Sequence, residues 1–343
     1  MTYSKSDEKK TRDFLERLTN RLQDQVGDEF TFLLVGRTGV GKSSTINSLM
    51  GKEVAPVGDY EPTTMEIEFY DNEINGVNFT VIDTPGLCDD FEEKGNDYDY
   101  LEKMRSEIDQ VDCTWFVSRL DETRVTRDEK EGIKLISEAF GEEIWEKAII
   151  VFTFAGNVAP EKYRTALKER TRLIRQEITK YAGTAIAENI PSVAVDNTQP
   201  TTPDKKKWLN KLYTQVYVSM STQSSLPFLM STVHRIKRPE PSTEIIYVPS
   251  PVYYPVTSSR NPSSPNSDPV PNPGYSQTQW KDEIEFTEED RTAIDRKTRT
   301  LIETTAMGAT VGAAVGSLAG PVGTAVGGAI GAAIGFFGGL FSR

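Results

Sequence analysis

Gly36-Arg37-Thr38-Gly39-Val40-Gly41-Lys42-Ser43 follows the apolar run Phe30-Thr-Phe-Leu-Leu-Val35 and opens the helical pattern Lys42 to Met50. A short apolar run without alternation suits a strand buried on both faces, so the octapeptide reads as the link from a central strand to a helix. Its glycines let backbone N–H groups turn inward around an anion, where side chains would block approach. The positive end of the following helix adds to the attraction. On this reading Gly36 through Ser43, with Ser44 behind them, cradle phosphate groups. Lys42 reaches the terminal phosphates as a point charge, and the Ser43 hydroxyl is placed to ligate Mg2+.

Further along, Val81-Ile-Asp83-Thr-Pro-Gly86 closes a second apolar strand. An aspartate at a strand end beside a phosphate loop can hold Mg2+, and Gly86 would offer its backbone N–H to a γ-phosphate. The interval between the two motifs holds Glu61-Pro-Thr63-Thr64-Met65. A threonine just before a strand is the expected mobile ligand of metal and γ-phosphate, and Thr64 is favoured because it abuts the strand. Other strand candidates are Met65 to Tyr70, Val77 to Ile82, Cys113 to Val117, Ala148 to Thr153 and Ser192 to Val195. Helical patterns alternate with them at Asp97 to Ile108, Arg127 to Phe140, Glu161 to Tyr181 and Asp204 to Val218. That alternation predicts an α/β fold: a mostly parallel sheet with helices on both faces, spanning residues 29–222. Residues 1–28 are read as a charged surface helix with Phe14, Leu15, Leu18 and Leu22 on one side.

Composition bounds the alternatives. The net charge of -12 leaves no basic face for a nucleic-acid backbone, so none is expected as a partner. A single histidine, His234, excludes a His-based triad or metal site. Two cysteines, Cys88 and Cys113, cannot form a disulfide framework, and the charged N-terminus lacks the apolar core of a secretory signal.

The C-terminal part changes character. Ten of the chain's 19 prolines fall between Pro239 and Gln279, so residues 223–280 read as a semi-extended linker unable to pack a core. Its Tyr247-Val-Pro-Ser-Pro-Val-Tyr-Tyr-Pro255 stretch could dock on a protein partner. Residues 281–305 predict an amphipathic helix beginning at Thr287-Glu-Glu-Asp290. After Glu303 no charge appears until Arg343. Glycines at 308, 312, 316 and 320, and again at 323, 327, 331, 335 and 339, repeat every fourth residue. Each series forms a stripe of small residues, and Gly320-Pro321 suits a turn between them. Residues 306–343 therefore predict a helical glycine-zipper hairpin in a lipid bilayer. A soluble Ala/Gly helical pair folded back on the protein is the alternative.

The phosphate motif with Ile82-Asp-Thr-Pro-Gly-Leu87 resembles the septin-like P-loop GTPases that include the chloroplast-import (Toc-type) receptors and the immune-associated (GIMAP-type, AIG1-like) proteins. Arg119-Leu-Asp-Glu-Thr-Arg124 and Ala139-Phe-Gly-Glu-Glu-Ile-Trp-Glu-Lys-Ala-Ile149 sharpen the likeness, which covers about Phe30 to Lys211. The resemblance implies GTP and GDP with Mg2+ as ligands, with Ser43, Thr64 and Asp83 around the metal. It implies a homodimer facing itself across the nucleotide, in which Arg124 matches the arginine that reaches the partner's phosphates, either to stabilise developing charge there or as a structural interface contact. It also implies a C-terminal anchor on the cytoplasmic face of a membrane. Leu87 stands where Ras-like proteins place a water-positioning glutamine, so unaided hydrolysis is expected to be slow. The chain departs from the usual guanine-reading motif: its strand ends Thr153-Phe154-Ala155-Gly156-Asn157, without an acid. Asn197 matches the family's base-contacting asparagine, Asp196 could supply a carboxylate, and Phe154 could stack on the purine.

Lys42, Thr64, Gly86 and Arg124 are thus the candidate catalytic set of a membrane-anchored, dimerising GTPase switch. Two rival readings stay open: a nucleotide-loaded scaffold with negligible turnover, and a protein whose tail enters a membrane when the nucleotide domain changes state.

Overall fold

The computed structural model describes residues 29–57, 67–84, 96–236 and 283–304. The N-terminal helix, most of the proline-rich linker and the glycine-rich tail expected from the sequence lie outside these residues, as do Thr63, Thr64, Gly86 and Leu87.

Six strands form one sheet: β1 Glu29–Val35, β2 Glu68–Ile74, β3 Val77–Asp83, β4 Cys113–Arg119, β5 Ala148–Thr153 and β6 Ser192–Ala194, in the order β2-β3-β1-β4-β5-β6. All neighbours are parallel except β2 and β3. That antiparallel pair is a hairpin closed by Asn75 and Gly76, both with positive φ (55° and 78°), a two-residue turn whose twist matches the flanking strands. The sequence reading placed this edge strand at Met65 to Tyr70. It runs later because the Asn-Gly turn sets its register against β3.

The helices are α1 Lys42–Met50, α2 Asn96–Glu107, α3 Arg127–Phe140, α4 Pro160–Asn189, α5 Trp208–Ser219, α6 Ser225–Thr232 and α7 Glu288–Thr304. Helix α4 passes its expected end at Tyr181; Gly183 leaves helical geometry (φ 75°, ψ 164°), and a second helical piece continues to Asn189.

Two apolar layers sandwich the sheet. Along β1, Phe32 and Leu34 face α1, α5, α6 and α7, whereas Leu33 and Val35 face α2, α3 and α4. All four are fully buried, which is why that strand is apolar without alternation. The first layer also takes in Leu226, Phe228 and Leu229 of α6, joined by Ile284, Phe286 and Ile294 from beyond the proline-rich stretch. The linker therefore does not begin at residue 223 as the sequence suggested: residues 225–236, which hold one proline, pack in the core. Thr287 and Asp290 exchange capping hydrogen bonds at the start of α7, where the sequence placed a helix start. Residues 283–304 are tied down by a parallel bridge from Ile236 to Ile284 and by Asn210, whose side chain bonds both backbone groups of Glu285.

Candidate functional site: the phosphate loop and the loops around it

The connection after β1 lies at the point where the chain leaves the sheet centre in two directions, to β3 on one side and β4 on the other. In open α/β sheets that point forms a crevice beyond the carboxyl ends of the strands. The loop needs glycine at Gly36: its φ is +155°, and a Cβ there would stand 2.3 Å from the Val117 carbonyl oxygen of β4. Helix α1 begins after Gly41, with no side-chain cap and no acidic residue in its first turn. Its first N–H groups therefore face the crevice without a competing carboxylate, which is the electrostatic arrangement an anion requires.

Lys42 is buried. Its ammonium donates to the Gly36 carbonyl (2.9 Å) and the Arg37 carbonyl (3.2 Å), and lies 3.4 Å from Asp83 Oδ1. Sequence reasoning placed Lys42 and Asp83 in one site, and the parallel register of β1 and β3, with Leu34 opposite Asp83, brings them together. Burial pushes the Asp83 carboxyl up from its ordinary value, and the Lys42 charge opposes this. Asp83 Oδ1 has no hydrogen-bond partner. An acceptor oxygen left buried and unsatisfied beside a lysine and a helix N-terminus fits a hard divalent cation. Mg2+ would be held there by Asp83 and by Ser43, the second residue of α1, and would neutralise charge on phosphate oxygens.

Asn197 follows β6 and reaches the phosphate loop. Its amide donates to Thr45 Oγ1 (2.9 Å) and approaches the Gly41 carbonyl at 3.4 Å, while Thr45 Oγ1 donates to Gly41 O at 2.7 Å. Asp196 is buried, and its Oδ1 accepts from the Thr198 N–H (2.9 Å) and hydroxyl (2.6 Å). Gly156 is packed so closely on Asp196 that a Cβ would lie 2.1 Å from Oδ2. The loops after β5 and β6 are thus joined at one rim of the crevice. Phe154 sits there with φ 55°, a left-handed backbone uncommon for a bulky residue, and the Arg119 guanidinium covers its ring at 4.0 Å. Arg119 grips Asp121 with a two-pronged pair (2.9 and 2.8 Å), and Asn157 donates to the same carboxylate at 2.9 Å. Those Arg119 hydrogen bonds hold the Asp121 carboxyl below its ordinary range.

The loop between β4 and α3, which Asp121 joins to that rim, also carries Arg124, which is exposed. Its carbonyl accepts from Arg170 of α4 at 2.6 Å. Arg170 is itself buried and also donates to Ser118 Oγ (2.5 Å) and Glu129 Oε1 (2.8 Å). Glu129 in turn completes a capping box with Thr126 at the start of α3. Arg37 of the phosphate loop pairs with Glu122 in the Arg124 loop. Sequence reasoning missed Arg119 over Phe154, Arg37 with Glu122, and Arg170. Arg170 sits among charged residues on a long polar helix, and no local pattern marks it as buried. The Thr126-x-x-Glu129 capping signature was available and marks where the loop ends.

A phosphate loop at the switch point of a 2-3-1-4-5-6 sheet, with a strand-end aspartate beside its lysine, defines a P-loop nucleotide-binding domain of the G-protein kind. The chain belongs to the AIG1 family, which its residues 30–244 match. Among curated relatives it is 32% identical over 195 residues to "Translocase of chloroplast 34" of Pisum sativum, covering 53% of this chain and 60% of that protein. It is 34% identical over 155 residues to "GTP-binding protein A" of Dictyostelium discoideum, covering 45% of this chain and 34% of the relative. In both cases the chain spans less than two thirds of the relative's length. Among solved structures, Toc33 from Arabidopsis thaliana in complex with GDP and Mg2+ is 25% identical with a TM-score of 0.47, over 65% of this chain and 92% of that one.

Proposed function

We propose that the protein is a Mg2+-dependent GTPase switch that hydrolyses GTP slowly on its own, pairs with a second copy across the nucleotide face, and is anchored to a membrane by residues 306–343. The observation that carries the nucleotide reading is the uncapped N-terminus of α1 beside Lys42 and the unsatisfied Asp83 oxygen. Guanine is favoured over adenine by the family and by a relative named for GTP binding. Asn197 and the Arg119-backed ring of Phe154 are the groups proposed to meet the base. Thr64 and Gly86 are proposed to reach the metal and γ-phosphate when nucleotide is bound.

Dimerisation is supported by Arg124, whose backbone is held from behind by Arg170 while its side chain is exposed. Its planar, permanently charged fork suits phosphate oxygens of a partner better than a lysine would. The anchor rests on the uncharged, glycine-striped tail. Among the described residues no helix is long and apolar enough to cross a membrane. Leu87, in place of a water-positioning glutamine, supports slow turnover and equally a scaffold that stays loaded.

The deciding experiment displaces a fluorescent GDP from wild type and from Lys42→Ala with GTP, ATP and GTP without Mg2+. Wild type should prefer GTP and need Mg2+, and the variant should bind none. Equal displacement by ATP would end the guanine assignment, and an unimpaired Lys42→Ala would end the site. Phosphate release measured over a range of protein concentrations then separates the switch from the loaded scaffold.

A further inference from the structure

Arg37 and Glu122 are 85 positions apart, one in the phosphate loop and the other in the loop that carries Arg124. Their side chains form an ion pair about a quarter exposed on each side (24% and 25%). Glu122 uses only Oε1 for it. Oε2 is buried without a hydrogen-bond partner and faces Arg170 at 3.9 Å. Glu122 therefore sits between a cation of the phosphate loop and the buried cation whose other nitrogen holds the Arg124 carbonyl at 2.6 Å. Behind it, Arg170 is fixed by Ser118 and by Glu129, which also caps α3.

We infer that Glu122 is a positioning residue, a strut between the phosphate loop and the partner-facing loop that sets where Arg124 stands relative to its own subunit's nucleotide. The inference rests on the reading of Arg124 as the residue that meets the partner. In a two-fold interface the same patch faces itself, so Arg124 can reach the partner's phosphates only if its distance from its own phosphate loop is fixed. A strut fixes that distance without touching nucleotide. A carboxylate between two guanidiniums can act in this way because it is held by charge on both sides, and small reorientations of either arginine are passed to the other. A merely stabilising ion pair so near the surface would be worth little and would leave assembly unchanged.

The test compares Glu122→Gln, Glu122→Ala and Glu122→Lys with wild type, each loaded with a non-hydrolysable GTP analogue. Dimer formation is followed by light scattering across concentration, and nucleotide affinity is measured on dilute monomer. Gln keeps the shape but removes the charge that both guanidiniums hold, so it should weaken the dimer in the same direction as Ala. Ala should move the dimer midpoint to about fivefold higher concentration, the order expected for losing a partly buried charge pair, while monomer nucleotide affinity holds within about twofold. Lys puts a third cation between Arg37 and Arg170 and should weaken the dimer further. Arg37→Ala and the double variant Arg37→Ala/Glu122→Ala complete a cycle, and the double should dimerise no worse than the weaker single. Unchanged dimerisation in Glu122→Ala, strictly additive single effects, or nucleotide loss in step with dimer loss in the Glu122 variants would each overturn the strut. A wild type that binds nucleotide but stays monomeric at every concentration overturns the reading of Arg124 itself, and the strut with it.

Discussion

At the residue scale the site is governed by one buried ion pair with an unfinished coordination shell. Asp83 has its carboxyl pushed up by burial, while Lys42 donates to two carbonyls and stands 3.4 Å from Asp83 Oδ1 as its counter-charge. The folded state therefore holds the Asp83 proton more tightly than the unfolded chain does. Stability of the nucleotide-free protein from this group therefore falls as pH rises from the ordinary carboxyl value through the folded one. Asp83→Asn should flatten that pH dependence of the melting midpoint of the empty protein. The same variant should lose the Mg2+ dependence of nucleotide binding. A lower midpoint at pH 7, with the difference unchanged at pH 5, would show that Asp83 is stabilising as the anion. Lys42→Ala takes the countercharge away and leaves Asp83 buried beside nothing positive, so it should cost stability as well as nucleotide affinity.

At the scale of elements, α1 runs from the phosphate loop to the residues that follow α6, on the same face of the sheet. Its N-terminus is open for an anion, and its C-terminus is closed by Arg235, which is buried and donates to the carbonyls of Ser48 (2.5 Å) and Leu49. A cation on the last carbonyls of a helix satisfies orphan acceptors and complements the dipole. Arg235→Ala leaves those acceptors buried and unpaired and should destabilise by about 1–3 kcal/mol. Thermal unfolding checks this, and a loss under about 0.5 kcal/mol would mean that water replaces the guanidinium. The phosphate-loop helix was legible because glycines, lysine and an apolar strand lie contiguous in sequence. Its C-terminal cap was not, because Arg235 is distant in sequence and is aimed by α6.

At the scale of the molecule, residues on both sides of the proline-rich stretch share one core. Ile284 is fully buried, Phe286 packs on Tyr213 at 5.3 Å between ring centroids, and Lys297 donates to the Met220 carbonyl at 3.0 Å. Burial of Ile284, Phe286 and Ile294 offers about 1.5–3 kcal/mol each before the cost of ordering the segment. A chain ending at residue 282 should therefore melt roughly 5–10 °C below one ending at residue 305. Equal midpoints would show that α7 is a passenger. The chain ending at residue 305 should also bind nucleotide and stay in the supernatant with lipid vesicles, whereas the full chain should pellet with them. If the full chain floats free of vesicles, the glycine stripes pack on the protein and the anchor reading fails.

The amino-acid sequence by itself determined the sheet, its mostly parallel sense, the phosphate loop and the strand-end aspartate. Each is written in contiguous residues whose periodicity, glycine content and charge have one physical solution. Phe30 to Ser44 alone carries a buried strand, a turn without side-chain obstruction and a helix with an open N-terminus. What the tertiary structure decided are contacts between residues far apart in the chain. It brought Glu122 to Arg37 across 85 positions, slid Arg170 under the Arg124 loop, laid Arg119 over Phe154 and returned Ile284 to Ile236. A charged side chain looks the same in sequence whether it faces water or a buried partner, and only packing of the elements removes the water that would otherwise pair with it.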